Sequence, residues 1–290
     1  MCSRPASWKR LGRHEGRRIL VGRAPMKKIV IPGTSLQASR FSFGTASLHH
    51  LPSERERANL LAAAADAGFS HFDTAPYYGF GLAERSLAGV LRGNASLTVA
   101  TKVGLYPPGG AEQSPLTVVG RKLMGKFIPV LSRPIAEWSV RLARASLDAS
   151  LRRLGRPRVD LLLLHEPVAG LIDCDEWLAW LAQERDRVAH FGVAGPMARL
   201  SSFVDSRSAL ADVVQVADSL EQREANPVLA AGRPLQFTFG YLSAQRGRKG
   251  VHAATTSLQA ALQRNATGSI IVSTRRVTRL PLYAAALADL

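Results

Sequence analysis

From about residue 40 onward, short β-rich apolar runs alternate with longer stretches of helical periodicity. The candidate strands are FSFGTA (41–46), HFDT (71–74), LTVATKV (97–103), VDLLLLH (159–165), HFGVA (190–194), DVVQVA (212–217), LQFTFG (235–240) and SIIVST (269–274). Runs such as Leu161 to Leu164 are apolar on both faces, which suits parallel strands covered on both sides. Between them lie helical patterns. In 136–154, Leu147, Leu151 and Leu154 recur at i, i+4 and i+7, and Gly155 with Pro157 stops the helix. SERERANLLAAAADAG opens on a Ser53 cap and ends at Gly68.

Eight β runs alternating with eight helical runs predict an α/β fold, a single (β/α)8 TIM barrel rather than an open sheet. An open doubly wound sheet more often has five to seven strands and a glycine loop after the first. KIVIPGTSLQASR (28–40) reads as an N-terminal β-hairpin placed to plug the barrel bottom. The connection after the third strand, about 104–135, is long and starts near Pro107-Pro108-Gly109-Gly110, as a lid or binding loop does.

Composition narrows the classes. The chain has 290 residues, 46% of them hydrophobic, enough for a sizeable single core. It has no apolar stretch of about 18 residues, so no membrane span is expected. Two cysteines, Cys2 and Cys174, give neither a disulfide framework nor metal-ligand spacing. That usage fits a reducing compartment, and a cytoplasmic location is expected. The net charge is +16, yet residues 1–28 alone hold nine Lys or Arg and one Glu. This arm lacks interleaved aromatics and any nucleic-acid motif, so no specific nucleic-acid partner is expected. It is Arg-rich and acid-poor, as transit peptides are, but has no apolar core for a secretory signal. The preferred reading is a disordered or spurious extension over 1–27, with Met26-Lys27-Lys28 near the natural start and one barrel over 28–290.

Two glycine patterns mimic phosphate loops. Gly79-Phe80-Gly81 starts six residues after the strand ending near Asp73, and Glu84 stands where a dinucleotide loop needs its third glycine. GRKLMGKF (120–127) matches a phosphate loop up to Lys126 but ends in Phe127, which has no hydroxyl for Mg²⁺. No metal cluster is read from the sequence. What remains are ionisable residues at the carboxyl ends of consecutive β runs: Asp73, Lys102 and His165, with Tyr78 five residues beyond Asp73. Each alone has an ordinary structural explanation. In a barrel, however, these strand ends converge on one mouth, where active sites are built.

FDTAPYYG, VATKVG, VDLLLLH and FGVAG, in this order and at these distances, resemble the aldo-keto reductase superfamily. IPGTSLQASRFSFGTASLHHL and FDTAPYYGFGLAERSLAGVL resemble its bacterial aldose (D-threo-aldose/L-fucose) 1-dehydrogenase-like branch. The resemblance spans about residues 28–288. It implies an NAD(P)-dependent oxidoreductase acting on an aldehyde, ketone or aldose, with NADP(H) favoured and NAD(H) possible. Tyr78 is then the general acid/base, Lys102 the cation that favours its phenolate, Asp73 the partner of Lys102, and His165 the group that orients the carbonyl. It also implies that Gln215 holds the nicotinamide carboxamide, that Phe239 or else Tyr241 stacks on the ring, and that Ser273, Thr274, Arg275 and Arg279 grip the adenosine phosphate. The usual Gly-Val-Ser-Asn reads Gly192-Val193-Ala194-Gly195 here, so the side chains that would hold the carboxamide are missing. A monomer or weak homo-oligomer is expected. A nucleotide-binding barrel with a regulatory or scaffold role is the alternative.

Overall fold

The computed structural model describes residues 26–110, 133–243 and 251–288. Residues 1–25 of the basic arm, the phosphate-loop mimic at 120–127 and most of the long connection lie outside these residues. A two-stranded antiparallel hairpin, β1 (Lys28–Val30) and β2 (Gln37–Ser39), leads into the barrel. The barrel strands are β3 (Phe41–Gly44), β4 (His71–Asp73), β5 (Thr98–Val103), β8 (Val159–His165), β9 (Val188–Gly195), β10 (Val213–Ala217), β11 (Phe237–Phe239) and β12 (Ser269–Val272). All pair in parallel, and β12 closes onto β3 with Ile270 opposite Phe41. The eight strands fall on the eight runs read from the sequence. Between β5 and β8, a short ribbon of β6 (Leu105–Tyr106) and β7 (Ile135–Ala136) flanks the undescribed part of the long connection.

The described α-helices are α1 (Glu54–Asp66), α2 (Leu82–Leu91), α3 (Val140–Leu154), α4 (Cys174–Gln183), α5 (Met197–Asp205), α6 (Asn226–Ala230), α7 (Val251–Arg264) and α8 (Leu280–Leu287). Their ends follow local chemistry. Ser53 Oγ accepts from Glu56 N at 3.1 Å while Glu56 Oε2 accepts from Ser53 N at 3.2 Å, a capping box that starts α1. Ser139 caps α3, and Gly155 ends it at φ +63°, a left-handed conformation that costs glycine little. Leu147 and Leu154 are fully buried beneath α3, as their spacing predicts.

Strand period two sorts the barrel into an outer and an inner face. Phe72, Val99, Leu162 and Val193 point outward into the layer under the helices. Ala100, Leu161, Leu163, Val213 and Phe237 point inward and form a separate cluster with Ile31, Leu36 and Ala38 of the hairpin. The hairpin therefore closes the N-terminal end of the barrel. Gln37 O accepts from Thr98 Oγ1 at 3.2 Å and Ser39 Oγ accepts from Ser70 N at 2.9 Å, both at strand beginnings. Met26 is also buried and packs against Gly68. Gly192 is dictated by the inner packing, since a β-carbon there would lie 2.0 Å from Val213 O.

One buried polar network braces β5 from outside. Glu84 of α2 accepts from Arg153 of α3 at 2.7 Å and from Thr101 Oγ1 at 2.6 Å. Thr101 faces the helices, so its neighbour Lys102 faces the barrel interior.

Candidate active site

The same alternation brings the candidate residues together. Two positions above the inward His71 stands Asp73, two above Ala100 stands Lys102, and two above Leu163 stands His165. Gln215 follows Val213, and Phe239 follows Phe237, by the same step. All five line one cavity of about 1190 Å³ at the carboxyl ends of the strands, with Tyr78, Ser273 and Arg279.

Lys102 Nζ donates to Asp73 Oδ1 at 2.6 Å and to Thr74 O at 2.9 Å; the two side chains are 1% and 4% exposed. Tyr78 reaches them from the loop after β4. Tyr78 N donates to Ala75 O at 3.0 Å, and Gly79, Phe80 and Gly81 then run through φ +62°, +56° and +80° before α2 begins. Three successive left-handed residues reverse the chain, and the buried Phe80 ring anchors the reversal. The double glycine is thus a turn that sets Tyr78, and no phosphate loop.

Lys102 Nζ lies 4.9 Å from the centre of the Tyr78 ring. The His165 ring meets that of Tyr78 edge to face at 5.9 Å. His165 is held from behind, where Trp138 Nε1 donates to its carbonyl at 3.2 Å. Trp138 fits because Gly104, at φ +110°, has no β-carbon; one there would lie 2.5 Å from the indole.

Burial raises the pKa of Tyr78, while the Lys102 ammonium and its hydrogen bond pull it down; the net direction is up. The lysine favours the phenolate, as expected, but enclosure outweighs it and the phenol keeps its proton. Lys102 is pulled down by burial, yet Asp73 and the phenol outweigh that, leaving it raised and charged. Burial first and Lys102 second hold His165 well below its usual value, so its imidazole is neutral. The set therefore presents a protonated phenol, a fixed cation with its counter-ion, and a neutral imidazole. Together these can deliver a proton to an oxygen placed beside Tyr78 and orient that oxygen.

The residues expected around a nucleotide are less uniform. Gln215 is buried on β10, and its Oε1 has no hydrogen-bond partner. Phe239 is half-buried on the wall. Tyr241 lines the same cavity, but its hydroxyl donates to Asp218 Oδ2 at 2.6 Å, and Asp218 is ion-paired with Arg264 at 2.5 Å. Ser273 Oγ donates to Gly44 O at 2.8 Å. Thr274 is buried, and its Oγ1 accepts from Arg276 N at 3.1 Å. Arg275 is exposed, and neither it nor Thr274 lines the cavity. Arg279 is exposed and lines it, immediately before α8. Ala194 and Gly195 line the wall beside His165 with no side-chain hydrogen-bonding group. Among the described residues, no group of three or more His, Cys, Asp or Glu is placed to hold a metal ion, and no helix is long and apolar enough to cross a membrane.

Sequence reasoning missed Glu166. It follows His165, lines the cavity, and takes φ +48°, left-handed for a non-glycine residue. The signal was an acidic residue directly after a strand-end histidine, in LLLLHEP.

The model of the aldo/keto reductase family matches residues 40–229. A D-threo-aldose 1-dehydrogenase from a Pseudomonas species is 33% identical over 203 residues, which are 65% of this chain and 60% of that protein. A pyridoxal 4-dehydrogenase from Microbacterium luteolum is 32% identical over 147 residues, 48% of this chain and 43% of that one. The matched region thus spans less than two thirds of both curated relatives. An aldo-keto reductase from Klebsiella pneumoniae, solved in complex with NADPH, has the same fold at a TM-score of 0.62 and 18% identity, covering 91% of each chain.

Proposed function

The chain belongs to the aldo/keto reductase family, and from that premise we propose that it is an NAD(P)-dependent oxidoreductase. Its substrate would be an aldehyde, a ketone or the hemiacetal carbon of an aldose. The observation that carries this reading is the buried Lys102–Asp73 pair set against the Tyr78 phenol beside a neutral His165, all opening on one cavity.

The residues fit a nicotinamide dinucleotide. Gln215 Oε1, buried and without a partner, is an acceptor that a carboxamide N–H would satisfy, and a buried acceptor left unsatisfied costs about 1–3 kcal/mol. Phe239 would stack on the ring, and Ser273 and Arg279 would meet the phosphate end, where a guanidinium favours NADP(H) over NAD(H). Thr274 and Arg275, which do not line the cavity, would meet the nucleotide only outside it. With Ala194 and Gly195 offering no side-chain donors, Gln215 would carry more of the carboxamide recognition. When bound, the nicotinamide supplies or accepts the hydride.

The chain's own task is protonic and electrostatic. In reduction, the Tyr78 phenol donates its proton to the carbonyl oxygen as negative charge develops there. Lys102 lies beside the phenolate that remains and stabilises it, and Asp73 fixes the lysine's charge and aim. Neutral His165 orients the substrate oxygen. Oxidation of an aldose at C1 would use Tyr78 as the base instead. The relatives' names, an aldose and a pyridoxal dehydrogenase, make hydroxyl-bearing carbonyl compounds the substrate class to try first. The proposal includes a cytoplasmic, monomeric or weakly homo-oligomeric enzyme over residues 28–290 with no specific nucleic-acid partner.

The test is a steady-state screen in both directions with NADPH and NADH against aldehydes and aldoses, with nucleotide binding followed by fluorescence. Turnover with at least one substrate, and a Gln215→Leu variant that weakens nucleotide binding about tenfold or more, are expected. Nucleotide binding without turnover across the panel would instead favour the regulatory reading.

A further inference from the structure

Glu166 places a carboxylate on the wall of the candidate cavity. Its half-buried side chain lines the cavity next to His165, and its backbone N–H donates to Ala194 O at 2.7 Å. That bond ties the left-handed turn at φ +48° to β9, so the conformation is imposed by the barrel. The room for it comes from Gly195. A β-carbon at 195 would lie 3.2 Å from Glu166 Cγ and 3.3 Å from its Cα, tighter than ordinary van der Waals contact. Two local features, the acid after His165 and the lost side chain at 195, are therefore one structural unit.

Among the described residues, the charges lining the cavity do not pair with Glu166. Lys102 is spent on Asp73 at 2.6 Å, and His165 is neutral. Arg279 lies before α8, near the position proposed above for the phosphates. Among the described residues lining the cavity, Glu166 is thus the acid without an ion-pair partner beside it, close enough to act on the Tyr78 phenol, whose proton it helps retain.

We propose that Glu166 selects substrates by charge, admitting hydroxyl-bearing or otherwise neutral carbonyl compounds and rejecting those that carry a carboxylate or phosphate. The proposal rests on the oxidoreductase reading above and adds to it the class of substrate taken. A carboxylate accepts hydrogen bonds from sugar hydroxyls and repels an anion in an enclosed, water-poor site.

The experiment compares methyl 4-formylbenzoate with 4-carboxybenzaldehyde, which differ chiefly in charge, in the wild-type protein and in Glu166→Gln and Glu166→Asp. Wild type should favour the ester by at least tenfold in kcat/KM. Glu166→Gln should shrink that preference at least fivefold, mainly by lowering KM for the carboxylate, and Glu166→Asp should keep most of it. An independent readout is the ionisation of Tyr78, followed by ultraviolet difference against Tyr78→Phe, which should move to lower pH in Glu166→Gln. A preference unchanged by Glu166→Gln, with turnover intact, overturns this inference and leaves the oxidoreductase reading standing. If no variant turns over any substrate, the oxidoreductase reading fails, and an unmoved Tyr78 ionisation then overturns the placement of Glu166 as well.

Discussion

Removing one member of the Lys102–Asp73 pair should cost more stability than removing both. The two side chains are 1% and 4% exposed and 2.6 Å apart, and the ammonium also donates to Thr74 O at 2.9 Å. Asp73→Asn leaves a buried cation without its counter-ion, and Lys102→Met leaves a buried carboxylate without its own. Breaking such a pair from one side costs about 3–5 kcal/mol, a large share of the roughly 5–15 kcal/mol that holds a domain together. The double variant buries no unpaired charge and should recover much of the loss, giving a coupling energy at least as large as a single loss, about 3–5 kcal/mol or more. Urea denaturation followed by circular dichroism measures all four corners of the cycle, with single-variant midpoints expected to fall by at least about 1 M. All three variants should lose activity, because the phenol loses its cation or that cation its aim. Single losses below about 1 kcal/mol that simply add in the double variant would refute the pairing argument.

Two further outcomes follow from the barrel interior. Burial lowers His71 to about 3 and holds His165 well below 6.5, so both stay neutral in the folded protein. Below about pH 6.5 the unfolded chain takes up protons that the folded one refuses, so stability should fall with pH by up to about 1.4 kcal/mol per unit for each group. For His71 the fall continues to about pH 3. Urea midpoints between pH 7 and 4.5 measure it, and a His71→Phe variant should be less acid-sensitive; equal sensitivity would contradict the assignment. Gly192→Ala should destabilise the barrel by about 1–3 kcal/mol or more, since its methyl would lie 2.0 Å from a backbone oxygen of the neighbouring strand. A thermal melt unchanged by that substitution would show that the two strands can part without cost.

The barrel was legible because its signals are local. Runs such as VDLLLLH and the capping box at Ser53 state their structure within a few residues. Strand parity also carried the site, since His165 shares a face with Leu161 and Leu163, and that face can be counted in the sequence. The β6–β7 ribbon was not legible: two residues per strand give no period, and its partners lie thirty residues apart. The balance of effects at Tyr78 was not legible, because a motif names the nearby lysine but not how thoroughly the phenol is enclosed. Glu166 stayed hidden for a related reason. Its entry into the cavity depends on a left-handed turn and on the missing side chain of Gly195, twenty-nine residues later on the adjacent strand.

The central claim is that Tyr78 delivers the proton to a substrate oxygen held beside it. Its most direct test is single-turnover NADPH oxidation by wild type and Tyr78→Phe with the best aldehyde from the screen. The account predicts a rate at least about a hundredfold lower in the variant, the scale of losing a general acid, with nucleotide affinity within about twofold of wild type. A variant that oxidises NADPH at close to the wild-type rate would contradict it.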